Sequence, residues 1–317
     1  MRLGQLFIRG QCITFQQDVF LESINAYINV LLADEVLNLN QNNLRVLQEY
    51  YDYVSDLADV GKLTQTDVAQ ASARREMAKY GLSDAQAKYE NSLETFRRLY
   101  GDTLEHYPDI DLDRVSDLFP ESVYAAEECA LKHHPALLAL QAQEAAAKED
   151  ITVARQSMMP SIDVRAASLQ VNDLPYIDKV RDSRIGLYLK LPLYDRGTAF
   201  ANTDKVRFTV AGIQDQIINA RRTITENLRQ AWNLYESQQS AINAAESGIR
   251  ANQMALNGTK EEQKNGRRTV LDVLNAEQEL LNTKVSLAQA KYARIAAFFA
   301  VLSATGNLSA LNLGLTD

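Results

Sequence analysis

Between Thr198 and Lys264 the apolar positions Val206, Val210, Ile213, Ile217, Ala220, Ile224, Leu228, Ala231 and Tyr235 step by four and three, and Ile242, Ala245 and Ile249 resume the same stripe. That spacing predicts one long helix with a coiled-coil seam. Two consecutive steps of four, Ala220 to Ile224 to Leu228, form a stutter that relaxes the left-handed supercoil and straightens the rod. At 1.5 Å per residue an unbroken helix of this length spans roughly 100 Å, so it must pack along its length against others. Shorter return helices are predicted over about 66–99 and 270–304. Between the rods the period changes to two. Ile185, Leu187, Leu189, Leu191 and Leu193 alternate with Gly186, Tyr188, Lys190, Pro192 and Tyr194, and Ile162, Val164 and Ala166 alternate with Asp163, Arg165 and Ala167. The pattern predicts a strand pair with one apolar side. Residues 172–175 and the polar run Asp178–Ser183 read as the loop between them. Such a hairpin suits either a soluble core or a membrane barrel, and about nine residues is the length a barrel strand needs.

The chain is also an internal duplication. Gly61-Lys62-Leu63-Thr64-Gln65-Thr66-Asp67-Val68 returns 205 residues later as Gly266-Arg267-Arg268-Thr269-Val270-Leu271-Asp272-Val273, and Ala85-Gln86-Ala87-Lys88-Tyr89 returns as Ala288-Gln289-Ala290-Lys291-Tyr292. Each copy reads as helix, tight turn, helix, too long for a solenoid repeat. Asp67 and Asp272 open the return helices, where a carboxylate faces free backbone N–H groups and the positive end of the dipole. The expected organisation is a first helical hairpin over 1–103, a linker over 104–134, a helix over 135–159, a β-hairpin over 160–196, a second helical hairpin over 197–304 and a closing segment over 305–317.

Composition agrees with a mainly α chain. All six prolines lie between Pro108 and Pro192, leaving both flanks free of helix breakers, and thirteen glycines among 317 residues is few. A net charge of −8 without a basic face argues against a nucleic-acid partner. Cys12 and Cys129 offer neither a disulfide framework nor metal-ligand spacing, and His133-His134 lacks further ligands at regular spacing. No phosphate loop, nucleophile elbow or carboxylate pair marks an enzyme, and neither cofactor nor metal is expected. No run of 18 apolar residues predicts a spanning helix, and no signal peptide is read at residues 1–15.

The succession Pro160-Ser161-Ile162-Asp163-Val164, then Ile185 through Gly197, a long helix and finally Gly266 through Ala276 resembles the TolC-type outer-membrane efflux proteins over about residues 17–310. The resemblance implies an outer-membrane homotrimer with a periplasmic helical extension, each chain giving strands to one barrel in the lipid and helices to one tunnel. It implies a periplasmic adaptor and an inner-membrane pump as partners, in multidrug efflux or type I secretion. By the same resemblance Asp272 lies at the closed periplasmic aperture. Arg268 matches the arginine that restrains the inner hairpin, with Thr66 and Asp67 as its neighbours on the outer one. The second aperture aspartate of the family is Asn275 here, so a single ring of carboxylates should attract cations less strongly than two. Val60-Gly61 and Asn265-Gly266 match the tips that meet the adaptor, with glycine serving either close approach or the turn itself.

Compared with the family pattern, the chain reads as truncated at its start, entering partway along the first rod. Two strands per chain would give a trimer six, fewer than the smallest usual barrel, so the product alone is expected to make no open pore. Leu6-Phe7-Ile8-Arg9-Gly10 echoes Leu193-Tyr194-Asp195-Arg196-Gly197. The alternative readings are a soluble or periplasmic coiled-coil scaffold, an adaptor, or a non-functional fragment of the channel.

Overall fold

A computed structural model describes residues 2–104, 107–108, 110, 112–174 and 177–308. Helices α1 (Arg2–Asp59) and α2 (Gln65–Tyr100) precede a 3₁₀ segment (Leu112–Leu118), α3 (Val123–His133) and α4 (Pro135–Gln156). Strands β1 (Ser161–Leu174) and β2 (Ile177–Lys190) follow, then α5 (Thr198–Lys264) and α6 (Val270–Ala304). The seam of α5 is where the spacing puts it: Val210, Ile213, Ile217, Ile224, Leu228 and Ile242 are buried, and α5 is unbroken through the stutter. Within the stretch read as linker, the 3₁₀ segment and α3 form. Ser122 caps α3 by accepting from Ala125 N at 3.2 Å, a start signal overlooked in the sequence.

The chain divides into two units, one of Met1–Gln11 with Pro135–Arg222 and the other of Cys12–His134 with Thr223–Asp317. In the first, α1 passes close to α4. A Cβ built on Gly10 would stand 2.8 Å from Ala139 Cβ and 3.1 Å from Pro135 O. The proposed echo between Gly10 and Gly197 therefore fails. Gly10 is a helix-interior residue that permits close packing, whereas Gly197 has φ +80° and precedes α5. Asp195 starts α5, its carboxylate accepting from Gly197 N at 3.0 Å and Ala199 N at 2.6 Å.

β1 and β2 pair antiparallel in one register, Ser161 opposite Lys190 through Leu174 opposite Ile177. Residues read as loop, 172–174 and 178–183, thus belong to strands, because ladder pairing outweighs their polar character; Pro175 lies outside the described residues. At the other end the ladder stops at Lys190, with Pro192 unable to donate, so Leu191–Tyr194 fall outside β2.

In the second unit Phe119 stacks between Phe298 (4.8 Å) and Trp232 (5.3 Å), over a core of Ile28, Phe299, Leu302 and Leu308. Buried Gln17 donates to Gly306 O at 2.8 Å, tying α1 to the carbonyl end of α6. Against expectation, α6 is long and apolar enough by length and composition to cross a membrane. Part of its apolar face lies in the core: Val270, Val273, Leu274, Leu280, Phe298, Phe299, Val301 and Leu302 are buried.

Candidate functional site

The two turns repeat one another in geometry as in sequence. Gly61 and Gly266 have φ +77° and +71°, and their N–H groups reach Ala58 O and Gln263 O, each at 2.9 Å. Nothing lies within 4 Å of a Cβ built on either. Within this chain the glycines answer the left-handed backbone and not close approach. After each turn a threonine and an aspartate exchange bonds. Thr64 N and Oγ1 donate to Asp67 Oδ2 at 3.0 and 2.8 Å, and Thr269 N and Oγ1 donate to Asp272 Oδ2 at 2.9 and 2.8 Å. Asp67 N and Asp272 N return bonds to the threonine hydroxyls, each at 3.2 Å. These reciprocal caps satisfy free N–H groups at both helix starts. The Thr269 bonds, helped by the nearby Arg268 charge, hold the Asp272 carboxyl below its ordinary range. Thr64 and Thr269, not singled out in the sequence, are the residues that fix both carboxylates.

The structure does not bring Arg268 to Thr66 or Asp67 within the chain. Arg268 Nε donates to Glu262 Oε2 at 2.9 Å, across its own turn, while Thr66 is exposed on α2. A bond between the two helical hairpins comes instead from Arg74, whose Nη2 donates to Asn275 Oδ1 at 2.8 Å. Nothing in the sequence marks this pair, which lies 201 residues apart and off the duplication's register. Val60 and Asn265 stand exposed beside the turn glycines, and Asn265 Nδ2 donates to Glu261 O at 2.8 Å.

Beneath the turns Leu47, Val54, Ala71, Ala78, Val270 and Leu274 pack into one cluster, and Leu256, Val273 and Leu280 into another, with Tyr50 against both. Glu277 is buried and takes a bond from Lys260 Nζ at 2.5 Å. The Tyr50 hydroxyl is buried with no hydrogen-bond partner among the described residues, and burial raises its pKa well above the ordinary phenol value.

The β-hairpin presents two unlike sides. Ile162 opposite Leu189, Val164 opposite Leu187 and Ala166 opposite Ile185 share one side, and these isoleucines, leucines and valine are 68–83% exposed. The other side carries Asp163, Arg165, Tyr188 and Arg184, with the Arg165 guanidinium 5.0 Å from the Tyr188 ring centre. An apolar band so exposed marks an interaction surface. Cys129 Sγ lies 3.9 Å from His133 Nδ1, and among the described residues no group of three or more His, Cys, Asp or Glu could hold a metal ion.

The family model described as outer membrane efflux protein matches residues 128–307. The chain is 28% identical over 302 residues to the outer membrane efflux protein BepC of Brucella suis biovar 1 (strain 1330), covering 95% of this chain and 66% of that protein. It is 26% identical over 314 residues to the outer membrane protein TolC of Escherichia coli (strain K12), covering 95% of this chain and 64% of that protein. The crystal structure of the Campylobacter jejuni CmeC outer membrane channel superposes with a TM-score of 0.81 at 18% identity, over 96% of this chain and 66% of that one. The chain thus spans about two thirds of the length of the relatives it matches. With the family model covering more than half of its residues, the chain belongs to the outer membrane efflux protein family.

Proposed function

We propose that this chain belongs to a subunit of an outer-membrane exit duct, a passive tunnel for substrates delivered by an inner-membrane pump through a periplasmic adaptor. The observation that carries the reading is the β-hairpin. Its aliphatic side chains stand exposed in register beside a charged opposite side, and a soluble scaffold would cover such a face with protein. The family's relatives named above are an efflux protein and outer-membrane proteins, which supports the same role. In this reading three copies associate, the hairpins face lipid outward and polar groups inward, and the paired helical hairpins line the passage.

The turns then form the periplasmic end. Three copies of Asp272 make an acidic ring, and Asn275 leaves a second ring uncharged. Thr269 keeps each Asp272 ionised and fixed in direction, so the ring is preorganised as a weak cation site. Arg268, held by Glu262, stiffens the inner turn, and Thr66 and Asp67 open the facing helix of the outer one. Val60, Gly61, Asn265 and Gly266 are the adaptor-contacting tips. The protein carrying this chain, purified in detergent and added to a planar lipid bilayer, is expected to behave as a trimer in light scattering and to give discrete current steps. A soluble monomer that leaves the bilayer silent would refute the reading.

A further inference from the structure

The paired strands are longer than a membrane crossing requires. Fourteen residues at about 3.3 Å each extend roughly 46 Å, and at a tilt of about 40° they rise some 35 Å, against an apolar band of about 25 Å in outer-membrane barrels. The side chains show where the surplus lies. On the aliphatic side the sequence of tiers runs Leu189 with Ile162, Leu187 with Val164, Ile185 with Ala166, and then changes to Ser183 with Ser168 and Arg181 with Gln170. Past the end of the ladder the exposed Leu191 and Leu193 continue the apolar run, so that it covers nine residues from Ile185, close to the 9–11 of one crossing.

Beyond that point the polar groups bond to one another across the strands. Ser168 Oγ and Ser183 Oγ are 3.2 Å apart, and Arg181 Nη2 donates to Gln170 Oε1 at 3.3 Å. The opposite side keeps charge at the next tier, where Leu169, 55% exposed, faces Asp182 and Asp182 accepts from Arg184 Nε at 3.0 Å. The register is continuous through the change, so no bulge causes it.

We propose that the Ser168–Ser183 tier marks the outer edge of the hydrocarbon contact. Acyl chains cover the three tiers from Leu189 with Ile162 to Ile185 with Ala166, together with Leu191 and Leu193 beyond the ladder, and the tier of Gln170 and Arg181 stands in water. A guanidinium facing hydrocarbon would be strongly disfavoured, and Arg181 on the aliphatic side of the ribbon sets the limit. This inference rests on the channel reading and refines it.

The test uses the protein carrying this chain with Cys12→Ser and Cys129→Ser, reconstituted in vesicles of phosphatidylethanolamine and phosphatidylglycerol. Single nitroxides are placed through Val164→Cys, Leu187→Cys, Gln170→Cys and Arg181→Cys, and relaxation by oxygen is compared with relaxation by an aqueous nickel chelate. Oxygen should dominate at positions 164 and 187, and nickel at 170 and 181. Oxygen dominance at 170 and 181 as well would overturn the boundary while leaving the channel reading intact. Nickel dominance at all four would remove the hairpin from lipid and defeat both. Variants that melt below the parent are replaced by Ile185→Cys and Ser183→Cys, which report the same two zones.

Discussion

Arg74 on α2 donates from Nη2 to Asn275 Oδ1 on α6 at 2.8 Å, joining the two helical hairpins close to their turns. The acceptor is neutral, so the bond holds at any pH at which the arginine is charged. In an exposed setting it contributes about 0.5–1 kcal/mol. Arg74→Ala should therefore favour separation of the hairpins about two- to fivefold, read as a higher open probability in bilayer recordings. Asn275→Asp should strengthen the link and deepen current block by divalent cations, because a second carboxylate joins Asp272. Unchanged recordings in both variants would show that the pair does not restrain the aperture.

Gly10 and Ala139 meet where α1 crosses α4, with no room for a methyl group. Gly10→Ala should cost about 1–3 kcal/mol by overpacking, and Ala139→Gly in the same chain should restore part of that loss. Chemical denaturation of the single and double variants checks the coupling. Additive losses would mean that the two positions do not touch in solution.

Tyr50 buries an unpartnered hydroxyl where the two apolar clusters meet. A buried donor without an acceptor costs about 1–3 kcal/mol, so Tyr50→Phe should stabilise the fold and raise the midpoint of thermal unfolding. A lower midpoint would show that the phenol finds a partner, such as an ordered water.

Burial lowers the pKa of His134 from its ordinary 6.5, with Asp18 opposing. The unfolded chain therefore binds its proton first as pH falls. The stability this residue contributes is complete above pH 6.5 and is lost as pH drops through the folded value. His134→Gln should flatten the dependence of unfolding free energy on pH just below 6.5 relative to the parent. An unaltered slope would assign the acid sensitivity to other groups.

Much of this fold was legible in the sequence because its signals are long. Twelve stripe positions from Val206 to Ile249 fix the seam of α5, and the repeated Gly-x5-Asp turns announce both hairpins and both helix starts. Short or long-range features were not. The Asp178–Ser183 run looks like a loop because its residues are polar, whereas pairing with β1 across the ladder makes it strand. The echo of residues 193–197 in residues 6–10 says nothing of Gly10's contact with α4, which only packing reveals. Arg74 and Asn275 meet only through packing of two distant helices, for which neither periodicity nor spacing leaves a trace.

The most direct test of the central claim, that Asp272 and Asn275 border a water-filled passage, is thiol modification during current recording. Asn275→Cys is introduced beside Cys12→Ser and Cys129→Ser, and a charged methanethiosulfonate is added to open channels in a planar bilayer. The account predicts that current falls by roughly half or more on modification, while the cysteine-free parent is unaffected. Steady current through channels whose Asn275→Cys thiol is shown by mass spectrometry to be modified would contradict it.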